Sequence, residues 1–149
     1  MNRTPRPMLA LLLAIPCYGV PVTASEHDRL ASNRLAGTQW VLVSFVEGTT
    51  ESALPQGTNS TLKFSAGEPP LASGHAGCNW YHGSYRVERD RLSFGPIATT
   101  RMACLSEATA QHEPRYLRAL ETAGVFEVTP GRLTISYGEG RGVLVFRRA

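Results

Sequence analysis

Charge of one sign is scarce in this chain. Fifteen basic side chains stand against 12 acidic ones, a formal balance of +3. Arg3 and Arg6 lie in the first 24 residues, which hold no acid, so the remainder carries only +1. Arg86, Arg89 and Arg91 alternate with Glu88 and Asp90 as a solvated turn, and Arg147-Arg148 closes the chain. A nucleic-acid surface needs clustered positive charge interleaved with aromatic platforms, and neither pattern is present. Long apolar runs are also missing. Met8–Ile15 is eight residues long and ends at Pro16, far short of the ~18 needed to cross a bilayer. No later segment is longer, so no transmembrane segment is expected in a mature chain. Catalytic signatures are absent as well: no Gly-x-Ser-x-Gly elbow, no His-Glu-x-x-His, no phosphate-cradling glycine loop. Cys104 and His112 can be drawn as nucleophile and base, but nothing near them suggests an oxyanion site. The carboxylates stand singly rather than in facing pairs. These absences predict a protein that is not an enzyme and needs no cofactor.

What is present at the N-terminus is an export signal. Arg3 and Arg6 precede the apolar run, and Val22-Thr23-Ala24 places small residues where a signal peptidase cuts. Residues 1–24 therefore read as a signal peptide cleaved near Ala24, which sends the protein to the periplasm or outside the cell. A lipid-acceptor cysteine wants Gly or Ala directly before it. Pro16 precedes Cys17, which argues against lipidation. About 125 residues then remain, enough for one core but not for two. Residues 25–36 are polar and weakly patterned, a flexible segment or a single helical turn, and the domain is expected over 37–149.

That domain reads as short strands with turn punctuation. Thr38–Val46 is apolar on both faces and suggests a buried central strand. Gly48–Ser60 reads as a loop, Thr61–Phe64 and Leu71–Ala76 as strands. Ser84–Val87 and Arg91–Phe94 form a hairpin around Glu88–Asp90. Gly124–Val128, Leu133–Tyr137 and Gly142–Phe146 form a C-terminal meander, with the last strand apolar on both sides. One segment has helical period: Tyr116, Leu117, Leu120 and Ala123 make a stripe between residues 113 and 123. Pro114 suits a first helical turn and Gly124 a position just past the end. Strands on both sides of one amphipathic helix predict a mainly β, α+β fold: a curled antiparallel sheet or barrel carrying that helix.

The densest stretch is Gly74–Cys104, which contains Gly77-Cys78-Asn79, then Gly83-Ser84-Tyr85, then Thr100-Arg101-Met102-Ala103-Cys104. This pattern resembles the META domain, the HslJ-like family of bacterial envelope and stress proteins. The resemblance covers roughly Gly37 to the C-terminus and implies the same barrel-with-helix architecture. It also implies a non-enzymatic envelope protein that supports stress or antibiotic tolerance through contacts with a protein or small molecule. Relatives often carry a less aromatic segment where this chain has Trp80-Tyr81-His82.

The motif residues have structural readings. Cys78 and Cys104 are the only cysteines after Cys17, and in an oxidising compartment they read as a disulfide. Gly74, Gly77 and Gly83 supply conformations that other residues resist, and Asn79 is a natural turn residue. Tyr85, Thr100 and Met102 belong to the motif without an implied duty. Arg101 reads as the partner of a carboxylate, with Glu113 the expected one, or as a ligand for an anion. Two further functions stay open. The first is a lipocalin-like barrel holding a small apolar ligand, with Trp80 and Tyr81 exposed at its mouth. The second is a periplasmic metal binder using His75, Cys78 and His82, with Met102 and Cys104 nearby.

Overall fold

Gln39–Glu47 (β1) is the strand on which the architecture hangs, because it has a hydrogen-bonded neighbour on each edge. The computed structural model describes Glu26, Leu30 and residues 33–149. The expected signal peptide, its cleavage at Ala24, Cys17 and most of residues 25–36 lie outside the described residues. From β1 the chain runs through Thr50–Ala53 (β2), Thr61–Phe64 (β3), Leu71–His75 (β4), Trp80–Glu88 (β5), Arg91–Phe94 (β6) and Ala98–Thr99 (β7). The helix Glu107–Glu121 (α1) follows, then Ala123–Val128 (β8), Arg132–Tyr137 (β9) and Gly142–Arg148 (β10). Every pairing is antiparallel, in the order β10-β9-β8-β6-β5-β4-β3-β1, and β10 returns to pair with β1. Eight strands thus close a barrel, while β2 extends the edge of β1 and β7 that of β5.

The barrel interior follows from strand alternation. Along β5 the pattern is strict: Tyr81, Gly83, Tyr85 and Val87 point in while Trp80, His82, Ser84 and Arg86 point out. Along β1 it breaks. The register against β10 slips between Leu42 and Ser44, a β-bulge at Val43 that leaves that side chain 43% exposed. The extra residue resets the alternation, so Ser44 and Phe45 are both buried. The two-sided burial expected for this strand is corrected accordingly. Before the bulge only Trp40 and Leu42 are interior, and Val41 and Val46 are half-buried. In β10, Leu144, Val145 and Phe146 are all buried, as their apolar run suggests.

Three other expectations change. The loop at 48–60 contains β2, whose Thr-Glu-Ser-Ala sequence has no apolar alternation because it is an exposed edge strand. The helix begins at Glu107, not near residue 113. Ser106 caps it by accepting from the Thr109 amide at 3.2 Å, and Pro114 lies inside it. Gly124 is not the residue past its end: Thr122 caps the C-terminus, and Gly124 sits in β8, where a Cβ would stand 2.9 Å from Ser136 Oγ. Helix residues His112, Tyr116, Ala119 and Leu120 are buried at helical spacing against the barrel. Leu35, in the helical turn at 33–35, is fully buried as well and extends the core two residues before Gly37.

Candidate functional site

The end of the barrel beneath α1 gathers the motif residues. Gly77 and Cys78 make the turn between β4 and β5, and residues 100–106 lead from β7 into α1. Cys78 and Cys104 are joined by a disulfide across this junction, with Cα atoms 5.6 Å apart. On the chain-entropy account, a closed loop of 26 residues stabilises the fold by about 3.5 kcal/mol.

Asn79 is the centre of the site and is only 4% exposed. Its Oδ1 accepts from the Thr100 hydroxyl and the Met102 amide, each at 2.8 Å. Its Nδ2 donates to Glu113 Oε1 at 2.9 Å and to the Met102 carbonyl at 3.3 Å. The Asn79 backbone amide donates to Glu113 Oε2 at 2.6 Å. One side chain therefore fastens three segments: the β4–β5 turn, the strap into the helix, and the helix itself. Thr100 adds to the tie, since its Oγ1 also accepts from the Trp80 amide at 3.1 Å. The expected turn role of Asn79 is thus enlarged, because its partners are remote in sequence rather than its own backbone. Glu113, half-buried, commits both carboxylate oxygens to Asn79 and forms no ion pair with Arg101 among the described residues. Arg101 is exposed, so the expected Arg101–Glu113 pairing is corrected.

Beneath this latch lies a closed polar layer. His112 Nε2 is 2.7 Å from the hydroxyl of Ser60, a residue with no exposed surface. Burial holds the His112 imidazole below its ordinary pKa, with Arg115 adding to the effect and Glu113 opposing it. His112 stacks on Tyr116, and the Tyr116 and Tyr81 hydroxyls are 3.0 Å apart. Both hydroxyls also donate to the Thr61 carbonyl, Tyr81 at 2.8 Å and Tyr116 at 3.3 Å. Burial pushes both phenols up, so they stay protonated. Gly77 has φ +104°, and a Cβ there would stand 2.9 Å from His112 Cδ2, so the turn requires glycine. At the helix flank Glu47 accepts from Tyr137 at 2.7 Å and from Arg115 at 3.0 Å, and Arg115 lies over the Phe45 ring. The Tyr137 hydrogen bond, followed by Arg115, holds the Glu47 carboxyl below its usual range.

The other expected residues separate. Tyr81 is 3% exposed and belongs to the core, while its neighbour Trp80 is 59% exposed on the outer face. The expectation of two exposed aromatics at the mouth is corrected: adjacent strand residues face opposite sides. His75 and His82 lie on that outer face with Trp80, and His75 packs edge-on against the indole. Cys78 does not present a thiolate to them, because its sulfur is bonded to Cys104. Ligand-type atoms of Cys78, Cys104 and Glu113 do come within 4.8 Å of one another, but both sulfurs are in that bond. The same bond removes Cys104 as a nucleophile for His112. Gly83 is inward-facing, where the Pro96 carbonyl would stand 3.0 Å from a Cβ.

Sequence reasoning missed the far end of the barrel. Residues 65–70, the turn at 33–36 and the ends of β5 and β6 enclose a groove of about 790 Å³. Tyr85 lines it and is packed edge-on against Phe64. Burial, and secondarily the Glu68 carboxylate, raise the Tyr85 pKa. The aromatic alternation of β5 was the one signal that could have pointed here.

Among the described residues no helix is long and apolar enough to cross a membrane. The disulfide is of a kind that persists in oxidising compartments and fits an extracellular or periplasmic protein. A protein from Burkholderia xenovorans solved by NMR is 31% identical, with a TM-score of 0.66, covering 97% of this chain and 99% of that one. A second NMR structure is 19% identical over 78% of this chain and 92% of its own, with a TM-score of 0.58. A DUF4847 family protein from Bacteroides vulgatus is 12% identical, with a TM-score of 0.55, covering 78% and 96%. The last two likenesses concern the fold alone. No curated protein matches the chain. The sequence profile of the META domain matches residues 33–149, the whole barrel with its helix and latch, and the chain belongs to the META domain family.

Proposed function

We propose that this protein is a non-enzymatic cell-envelope domain that supports stress or antibiotic tolerance by binding a protein or small molecule. The observation carrying this reading is the latch. The polar atoms of Asn79 and both carboxylate oxygens of Glu113 are committed to holding three segments together. Cys78 and Cys104 are joined to each other. Ser60 and His112, the other pair with catalytic character, are shut away from solvent. The motif thereby supports a scaffold, and function falls to surfaces. Export through residues 1–24 is part of this reading.

The barrel centre offers a ligand little room, since Trp40, Phe45, Phe64, Tyr116 and Phe146 fill it with almost no exposed surface. A bound molecule would sit at the rim. The test is a deletion strain challenged with heat and with antibiotics, complemented by the wild type or by Asn79→Ala. The deletion should be sensitive, and the variant should rescue in proportion to the folded protein it accumulates. No sensitivity in the deletion strain removes the stress role. A folded, abundant variant that cannot rescue shows that the motif does chemistry.

A further inference from the structure

We infer that the seam between β8 and β9 binds a phosphoryl group, the dianionic end of a phosphorylated small molecule. The strands come apart there. Ala123 pairs with Tyr137 and Phe126 with Ile135, so Gly124 and Val125 together stand against Ser136, a β-bulge. On the other edge of β8, the register with β6 is a single pair, Arg91 with Val125. A groove of about 590 Å³ opens over the bulge, and Arg91, Ser136 and Arg141 all line it. Gly124 keeps it open. A Cβ on this residue would stand 2.9 Å from Ser136 Oγ and 4.0 Å from Arg91 Nη2, so a hydroxyl and a guanidinium border the same space above a bare Cα. Arg141 comes from the turn between β9 and β10. Its Nε donates to the Gly138 carbonyl at 2.9 Å, which orients the guanidinium and leaves its two terminal nitrogens without a partner among the described residues.

The charge of this groove is not compensated from within. The Arg91 side chain makes no hydrogen bond and no ion pair among the described residues. Glu139 is the one carboxylate of the lining and pairs with neither arginine, so two positive charges stand against one negative. The carbonyl end of α1 carries partial negative charge nearby, but the Thr122 amide and hydroxyl cover it by donating to the Arg118 carbonyl at 3.1 Å and 2.9 Å. Guanidinium groups offer forked N–H donors that match phosphoryl oxygens, and the Ser136 hydroxyl supplies a further donor. A dianion neutralises both arginines, whereas a monocarboxylate neutralises one and a neutral alcohol none. Val125, 44% exposed beside the arginines, gives the organic part of the ligand an apolar surface.

The inference rests on the reading that the domain binds rather than catalyses, and one experiment separates the two. The purified full-length protein is titrated with phenyl phosphate, benzoate and benzyl alcohol, followed by amide NMR shifts at Gly124, Val125 and Gly138. Released phenol is measured in the same samples. Phenyl phosphate should bind about tenfold more tightly than benzoate, with benzyl alcohol weakest. Arg91→Gln and Arg141→Gln, both changes of exposed side chains, should each weaken phenyl phosphate about tenfold while the remaining amide spectrum stays native. Gly124→Ala, if its spectrum shows the native fold, should block binding by filling the space. Equal affinity for benzoate, binding that survives both arginine substitutions, or no saturable shift at the bulge overturns the site and leaves the binding reading standing. Phenol released by the wild type and not by Arg91→Gln overturns the binding reading instead.

Discussion

Asn79→Asp is the sharpest probe of the latch, because it replaces one NH2 group by a charged oxygen and changes almost nothing of shape. The native Nδ2 donates to Glu113 Oε1 at 2.9 Å. In the variant a carboxylate oxygen takes that place and faces another carboxylate, and two such groups at that distance do not both ionise. One must hold a proton. With carboxyl reference values near 4, keeping that proton at pH 7 costs about 4 kcal/mol. The folded state then binds one proton more than the unfolded state. Stability should consequently rise by about 1.4 kcal/mol for each pH unit of acidification between pH 7 and about 4.5. Asn79→Ala removes the same hydrogen bonds without adding a charge. Losing one charge-assisted bond and the neutral bonds to Thr100 and Met102, partly replaced by water, should cost about 3 kcal/mol with no such slope. Urea denaturation of both variants at several pH values, with the disulfide intact, distinguishes the cases. An Asn79→Asp protein as stable as wild type at pH 7, or one whose stability ignores pH, refutes the proposed Asn79–Glu113 contact.

Two further outcomes test the layer below. Burial holds His112 under its ordinary value of 6.5, so the unfolded chain takes up a proton there first as pH falls. Its contribution is complete above about pH 6.5 and declines below that, by at most about 1.4 kcal/mol per unit, and His112→Gln should flatten this part of the profile in calorimetry. Gly77→Ala combines a positive φ with a 2.9 Å approach to His112 and should cost about 3 kcal/mol. Gly57→Ala, also at positive φ but with nothing within 4 Å, should cost about 1 kcal/mol, and equal losses would remove the steric argument.

Much of the barrel was legible in the chain because the second half of β5, together with β9 and β10, buries what its apolar residues announce, whereas the first half, Trp80–Gly83, was not read as strand. The start of α1 was not, and the reason is physical. From Glu107 to Gln111 the helix is exposed apart from half-buried Thr109, so no apolar stripe marks it, and His112 is its first buried residue. Pro114 then resembles a first-turn residue although the helix tolerates it inside. β2 escaped for the related reason that an exposed edge strand needs no buried face. The disulfide could be read from counting cysteines, whereas the partners of Asn79 could not. Glu113 is 34 residues from it and Met102 is 23, and only the closed fold brings them together. Arg101 was misassigned because a charge sign identifies a partner's type but not its position. The groove at Tyr85 left no trace beyond one aromatic among inward-facing residues.

Closure of the barrel by β1 and β10 makes the order of synthesis matter. Trp40 is paired opposite Arg148, so the first strand of the domain cannot be completed until the last residues are available. Contacts of such sequence separation come late and slow the search for the native state. A nascent or partly delivered chain holds the free edges of β1 and β9, each able to recruit another chain by strand pairing. Losing only Gly142–Arg148 would therefore do more than remove seven residues. It would turn a closed barrel into an open sheet prone to aggregation, and any fusion after β10 has to leave that strand free to dock.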